Sequence, residues 1–176
     1  MDRVPLIRQL TPTDRDIFFQ LRLRALQAHP DAFAQSHQEA LEKGPQQHDA
    51  MLQGGAHAAD GNFLLGAFMG QEQTLTGMVG LKRQERLKER HKASVIGMYV
   101  APEAAGRGVG RALLIDLLAR AGCVEGLRQI QLVVASHNDA ARHLYESVGF
   151  RCYGRETGGL CVDGMLSDSD LMARFI

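Results

Sequence analysis

Three glycines in five residues interrupt the most regular part of this chain. Gly106, Gly108 and Gly110 fall in "APEAAGRGVGRALL", between an apolar run, "ASVIGMYV", and a run of strong helix formers, "GRALLIDLLARAG". Pro102 closes the first run and Gly122 stops the second, so the segment is expected to be strand, loop, helix. A helix N-terminus presents unpaired N–H groups and a partial positive charge. Glycines let the main chain approach an anion with no Cβ in the way. Arg107 and Arg111 add local charge. One reading is a loop that cradles a phosphate or pyrophosphate; the other is a glycine-rich turn that only packs helix against strand. The loop is not a P-loop, because no Gly-Lys-Ser/Thr follows. Nor does it fit the dinucleotide fingerprint. Its pattern is G-x-G-x-G set behind "APEAA", and Asp116 and Glu125 stand at the wrong distance or on the wrong element for a ribose-binding acid.

The surrounding elements supply the frame. "TPTDRDIFFQLRLRALQAHP" is expected to be a helix capped by Thr13 with Asp16 three residues on, and Pro30 ends it. Ile17, Leu21, Ala25 and Ala28 share one face of it. Ser36 and Glu39 repeat the capping pattern, and "QQHDAMLQGG" follows as a short helix. "NFLLGAFMG" and "TLTGMVGLKR" flank the polar "GQEQ" and predict an antiparallel hairpin. "RQERLKERHK" is a sheet edge or a connecting loop. "RQIQLVVAS" predicts a strand and "NDAARHLYESVG" a helix, while "FRCYG", "GLCVDG" and "DLMARFI" predict short closing strands. The order α, α, hairpin, then β-α-β-α-β gives a single α/β domain over residues 1–176. Its sheet is mixed, antiparallel early, with a βαβ crossover carrying the glycine loop.

With 45% apolar residues in 176, the chain can close a real core. Acidic and basic residues balance at 20 each, which gives no global attraction to nucleic acid or anionic membrane. Any anion site must be built locally. Cys123, Cys152 and Cys161 are odd in number and lack metal-ligand spacing. They are expected to be free, mostly buried thiols in a reducing compartment, with no metal. "MDRVPLIRQLTPTDRD" has no apolar run of signal-peptide length, and no stretch approaches a membrane span. A cytoplasmic protein is expected.

A second motif joins the first. In "NDAARHLYESVGF", Asn138 and Tyr145 are seven residues apart, about 20° from eclipsed on a helix, so amide and phenol share a face with Ala141 and Arg142 between them. Leu144 and Val148 form an apolar ridge on the packing face. Taken together, "VIGMYVAPEAAGRGVGRALL" and, about thirty residues later, "NDAARHLYESVGF" resemble the GNAT superfamily of acetyl-CoA-dependent N-acetyltransferases. The first motif of that family is Gln/Arg-x-x-Gly-x-Gly/Ala after a strand. The second is Asn-x-x-Ala-x-x-Leu-Tyr-x-x-x-Gly-Phe, matched by Asn138, Ala141, Leu144, Tyr145, Gly149 and Phe150. One position departs: Ala105 stands where the family has Gln or Arg, which removes a hydrogen bond to the pyrophosphate worth ~1.5–3 kcal/mol.

The resemblance implies a mostly antiparallel sheet flanked by helices and acetyl-CoA as co-substrate. It implies that the amides of Gly106, Arg107, Gly108, Val109, Gly110 and Arg111 hold the CoA pyrophosphate. The strand "GMYV" would splay from its neighbour and pair the pantetheine amides near Met98 and Val100, with Asn138 against the same arm. Tyr145 would protonate the departing thiolate. No acid precedes the glycine loop on its strand; Ser94 stands near that position and would hold a water as part of the base. The acceptor, a small molecule with a primary amine, would lie against "AHPDAFAQS", with Asp31 for its charge and Phe33 beside it. The resemblance leaves a homodimer open, with the late strands as its pairing edge. The alternative is a non-catalytic module of the same fold that binds or senses acyl-CoA.

Overall fold

The computed structural model describes residues 4–53 and 60–176. Among these residues seven strands form one sheet in the order β1-β2-β3-β4-β5-β7-β6. They are β1 (Leu6–Gln9), β2 (Phe63–Met69), β3 (Thr74–Arg83), β4 (Lys92–Val100), β5 (Gln129–Ala135), β6 (Arg151–Val162) and β7 (Met165–Phe175). Among the described residues five α-helices accompany them: α1 (Arg15–Ala28), α2 (His37–Lys43), α3 (Asp49–Gln53), α4 (Val109–Ala121) and α5 (Asp139–Ser147). Neighbouring strands are antiparallel except β4 and β5. Those two run parallel because α4 carries the chain back between them.

At β2 both faces of the sheet are covered, which explains its unbroken apolar run. Phe63, Leu65 and Ala67 face a core with Leu113, Leu114 and Leu117 of α4 and Phe150. Leu64 and Phe68 face a second core with Phe18, Leu21 and Ala25 of α1. A strand buried on both faces loses the period-2 alternation of a half-exposed one. Ser36 and Glu39 make the expected reciprocal cap of α2: the Glu39 amide donates to Ser36 Oγ at 3.1 Å, and the Ser36 amide donates to Glu39 Oε2 at 2.8 Å.

The first helix begins differently from expectation. Thr11, not Thr13, opens a 3-10 turn over Pro12–Asp14, and its amide donates to Asp14 Oδ2 at 2.9 Å. The reason is β1, a four-residue strand too short to leave a sequence pattern. It brings Arg8 within 2.7 and 2.8 Å of the two Asp14 oxygens. The buried face of α1 is Phe18, Leu21 and Ala25, whereas Ile17 is 48% exposed. The Asp14 carboxyl is pulled down to about 2, first by Arg8 and then by the Thr11 groups, against the opposing effect of burial. This ion pair therefore contributes stability fully above pH ~4, and loses it as pH falls toward 2. With Arg8 partly solvated, the contribution is about 1–2 kcal/mol. Asp14→Asn is expected to lose that amount in urea unfolding at pH 7 and to match the parent near pH 2. Equal stability at both pH values would show that the pair contributes nothing.

The closing strands are longer than predicted. β6 and β7 form one hairpin of twelve and eleven residues, joined at Asp163 and Gly164, both with positive φ. Gly154, Gly158 and Gly159 look like breaks in the sequence. They fall in the strand where its register shifts, and bulges accommodate glycine without ending a strand. The thiol expectation is also corrected: Cys123, Cys152 and Cys161 are free but all exposed. Two of them lie on β6, the edge strand of the sheet, and the third follows α4. Among the described residues no helix is long and apolar enough to cross a membrane.

Candidate active site

β4 pairs with its two neighbours over very different lengths. Against β3 its register runs from Ala93 to Val100. Against β5 it holds only Lys92↔Gln129, Ala93↔Ile130 and Ser94↔Gln131. The cause lies at Gly97. Between the pairs Gly80↔Ile96 and Met78↔Tyr99, β4 carries one residue more than β3, and Gly97 has φ +60°. A side chain disfavours that conformation, and a bulge bends its strand. Beyond it β4 diverges, while β5 continues beside β7 to Ala135. The sheet opens as a V, and a cleft of about 750 Å³ passes through the gap. Met98 and Val100 line one wall and Leu132 to Ala135 the other.

The glycine loop closes one end of the cleft. Gly106 and Gly108 both have φ +73°, and a Cβ on either would meet nothing within 4 Å. They provide the left-handed turn and an open surface. Gly108 caps α4 and its carbonyl accepts from Ala112 N–H at 2.9 Å. The first-turn amides of α4 therefore have no helical partner and carry the positive end of its dipole. Gly110 works differently. It lies within α4, where a Cβ would stand 3.1 Å from Leu144 and 3.2 Å from Met98. It lets α4, α5 and β4 converge on the cleft. Ala105 is exposed, and only its amide is engaged, donating to the Pro102 carbonyl. Arg111 lines the cleft.

α5 supplies the amide and the phenol. Asn138 Oδ1 accepts from Ala141 N–H at 3.1 Å, which caps the helix. Nδ2 of that amide carries no capping role. Tyr145, about two turns further along the same face, is 7% exposed, with its ring edge against Phe150 at 6.0 Å between centroids. Burial pushes the Tyr145 phenol up to about 12, so it remains protonated. Arg142 does not join them in the cleft. It reaches Asp170 of β7 at 3.1 Å, and Asp170 also takes Arg155 at 2.7 Å. That buried carboxylate fixes the helix on the sheet.

The loop after α1 contributes a further part of the wall of the cleft. Asp31 and Phe33 both line it, with His29, Tyr99 and His137. Asp31 Oδ2 lies 2.8 Å from His137 Nε2, across 106 residues of sequence. His137 immediately precedes Asn138, and that adjacency is the only sign of it in the sequence. Ser94 lies at the closed vertex of the V, where its Oγ accepts from Gln84 Nε2 at 3.3 Å. The lining of the cleft starts one residue later, at Val95. Thus Met98, Val100, Gly106, Gly108, Val109, Gly110, Arg111, Asn138, Tyr145, Asp31 and Phe33 come together around one cleft, whereas Ser94 and Arg107 are not part of its lining. Among the described residues no group of three or more His, Cys, Asp or Glu is placed to hold a metal ion.

Comparison with known proteins agrees with this architecture. Residues 23–150 match the acetyltransferase (GNAT) family. Over 100 residues the chain is 41% identical to the N-alpha-acetyltransferase RimI of Mycobacterium tuberculosis, covering 55% of this chain and 57% of that protein. Over 97 residues it is 29% identical to the spermidine N(1)-acetyltransferase of Vibrio cholerae, covering 55% and 56%. The matches thus span little more than half the length of these curated relatives. In structure, the acetyltransferase of GNAT family from Streptococcus pneumoniae superposes with a TM-score of 0.87 at 25% identity, over 98% of this chain and all of that one.

Proposed function

The chain belongs to the acetyltransferase (GNAT) family, and from that premise we propose that it transfers the acetyl group of acetyl-CoA to the primary amine of a small acceptor, by direct attack in a ternary complex. The observation that carries this reading is the cleft through the splayed sheet, whose lining brings together the glycine-rich start of α4, the Asp31–His137 pair and the edge of β4 released from β5.

The residues present fit acetyl-CoA. The unpaired amides of α4 and the open faces of Gly106 and Gly108 suit a pyrophosphate, with Arg111 alongside. The edge of β4 at Met98 and Val100, released from β5, offers backbone groups to the pantetheine amides as an added strand would. Asn138 Nδ2 is available to the same arm. The thioester then supplies an activated acyl carbon.

Acyl transfer needs two proton movements. The acceptor arrives as an ammonium and must lose a proton before its nitrogen forms the new C–N bond. We place that step at His137. Asp31 accepts from Nε2–H, which fixes the tautomer and leaves Nδ1 as proton acceptor. The second oxygen of Asp31 is left to pair with the ammonium. This pair takes the role that the sequence placed at Ser94, because it lies in the cleft. As the C–S bond breaks, the thiolate takes a proton from Tyr145, whose phenol is protonated throughout the working range.

Titration calorimetry with acetyl-CoA, and with NAD and ATP as controls, tests the reading. Micromolar binding of acetyl-CoA alone is expected, followed by turnover in a panel of small amines. Binding with no turnover over a broad panel would instead make the protein an acyl-CoA-binding module. Absence of binding would leave the family resemblance as one of fold.

A further inference from the structure

Asp31 and His137 line more than the cleft. Both also line a second cavity of about 480 Å³, together with Ser136 and residues on either side of the β6–β7 turn. That turn contributes Val162, Met165, Leu166, Ser167 and Asp168. The pair proposed to receive the amine therefore borders a neighbouring space for the rest of an acceptor, of a size usual for small ligands. Part of its wall is apolar. Met165 and Leu166 are 75% and 72% exposed, and Val162 is half-buried. Large apolar side chains left exposed beside a site offer contact to a hydrocarbon chain.

The charge of this cavity is one-sided. Two carboxylates, Asp31 and Asp168, line it, and no Lys or Arg does. The backbone places Asp168 close to His137: Ser136 N–H donates to the Asp168 carbonyl at 2.9 Å, and His137 follows Ser136. Asp168 Oδ1 accepts from Gly158 N–H at 2.9 Å, which leaves Oδ2 for a ligand. Among the described residues no cation forms an ion pair with Asp168. Arg155 senses its charge only from beyond ion-pair distance, and donates instead to both oxygens of Asp170, at 2.7 and 3.2 Å. Among the described residues Arg111 is the one Lys or Arg that lines either cavity, and it belongs to the glycine-rich start of α4. A carboxylate on the acceptor would meet like charge in the second cavity, whereas a second ammonium would meet its complement.

We propose that the acceptor is an alkyl diamine or longer polyamine, with one primary amine acetylated at the Asp31–His137 pair and a second ammonium, a few methylenes away, bound by Asp168. The nitrogen of the first amine forms the amide C–N bond as the thioester C–S bond breaks. The second ammonium takes no part in the transfer and keeps its proton, so the product carries one positive charge fewer than the substrate. The proposal rests on the acetyl-transfer reading for the reaction, but not for the binding.

Matched pairs test it: putrescine against butylamine, cadaverine against pentylamine, and putrescine against L-ornithine, with a peptide amide whose only amine is its N-terminus. In the parent protein the diamines are expected to be acetylated with kcat/KM about tenfold above the other compounds, an advantage that shrinks as salt is added. Asp168→Asn keeps the oxygen that accepts from Gly158 N–H and removes the charge. It is expected to raise KM for the diamines about tenfold, without a matching rise for the monoamines and with the melting temperature of the ligand-free protein unchanged. Thermal shifts with putrescine, in the presence of CoA, give a readout that needs no turnover. If putrescine stabilises the parent protein and not Asp168→Asn while nothing is acetylated, the site stands and the transfer reading falls. If the monoamines, L-ornithine or the peptide amide are acetylated as well as the diamines, or Asp168→Asn weakens all of them alike, the site falls and the transfer reading stands. Neither turnover nor a shift with any compound overturns both.

Discussion

Replacing Tyr145 with phenylalanine is expected to lower kcat by about 10²-fold or more, the usual contribution of a positioned general acid. Acetyl-CoA affinity should change little. The substitution removes one oxygen and keeps the ring, which is held against Phe150 in the core beneath the cleft. The direction of the pKa shift sharpens the test. Burial raises the phenol to about 12, so the proton-bearing form is lost only as pH climbs toward that value. The rate of the parent enzyme should therefore show no alkaline decline from this group at any pH where the protein is ordinarily assayed. Steady-state kinetics across pH, with calorimetry on both proteins, separate the possibilities. An unchanged kcat in the variant would remove Tyr145 from the chemistry. A loss of acetyl-CoA affinity equal to the loss of rate would make it a wall of the cleft only.

Gly108→Glu is expected to abolish acetyl-CoA binding, with a loss of about 100-fold or more, as like charge and lost donor access combine. Two effects act together, and a second variant separates them. Any side chain at φ +73° carries a conformational cost of about 1–2 kcal/mol, which Gly108→Ala shares. That variant should therefore weaken binding by about tenfold at most, because its methyl meets nothing within 4 Å. The glutamate adds a carboxylate in the place proposed for the pyrophosphate. Gly110→Ala behaves differently from both: its methyl would press on Leu144 and Met98. It should appear in the melting temperature before it appears in affinity. Calorimetry and thermal unfolding of the three variants suffice. Normal acetyl-CoA binding by Gly108→Glu would reduce the loop to a turn that joins strand to helix.

What the sequence made legible was local. Asn138 and Tyr145 share a face because helix geometry fixes their phase. Gly106 and Gly108 announce a left-handed turn because few other residues tolerate one. The β2–β3 hairpin and α4 carry strong patterns over many residues. What stayed hidden depends on residues distant in the chain. "LRLRALQ" contains Arg22 and Arg24 in equivalent settings; only the fold gives one of them Glu103 and leaves the other near Gly97, with no acid paired to it among the described residues. His137 looks like any loop histidine until Asp31 is brought to it across 106 residues. Gly97 sits inside a strand-like run, and nothing in "VIGMYV" says that it is a bulge rather than a site of close packing. The glycines of β6 misled in the opposite sense, since bulges within a long strand resemble breaks between short ones. Ile17 was misplaced for a related reason: the helical period was right, but the sheet covers the neighbouring stripe.

The short seam between β4 and β5 has a consequence beyond admitting a substrate. It divides the sheet into two halves that are each continuous in sequence, β1 to β4 within residues 6–100 and β5 to β7 within residues 129–175. Three register pairs join them directly; α4 with the core around it, and the Asp31–His137 contact, add to that connection. A molecule lying in the gap and hydrogen-bonded along β4 would act as a keystone between two arches, and cohesion of the whole would then rise with its concentration. On this view the abundance of the acyl donor governs how long the protein survives as well as how fast it works.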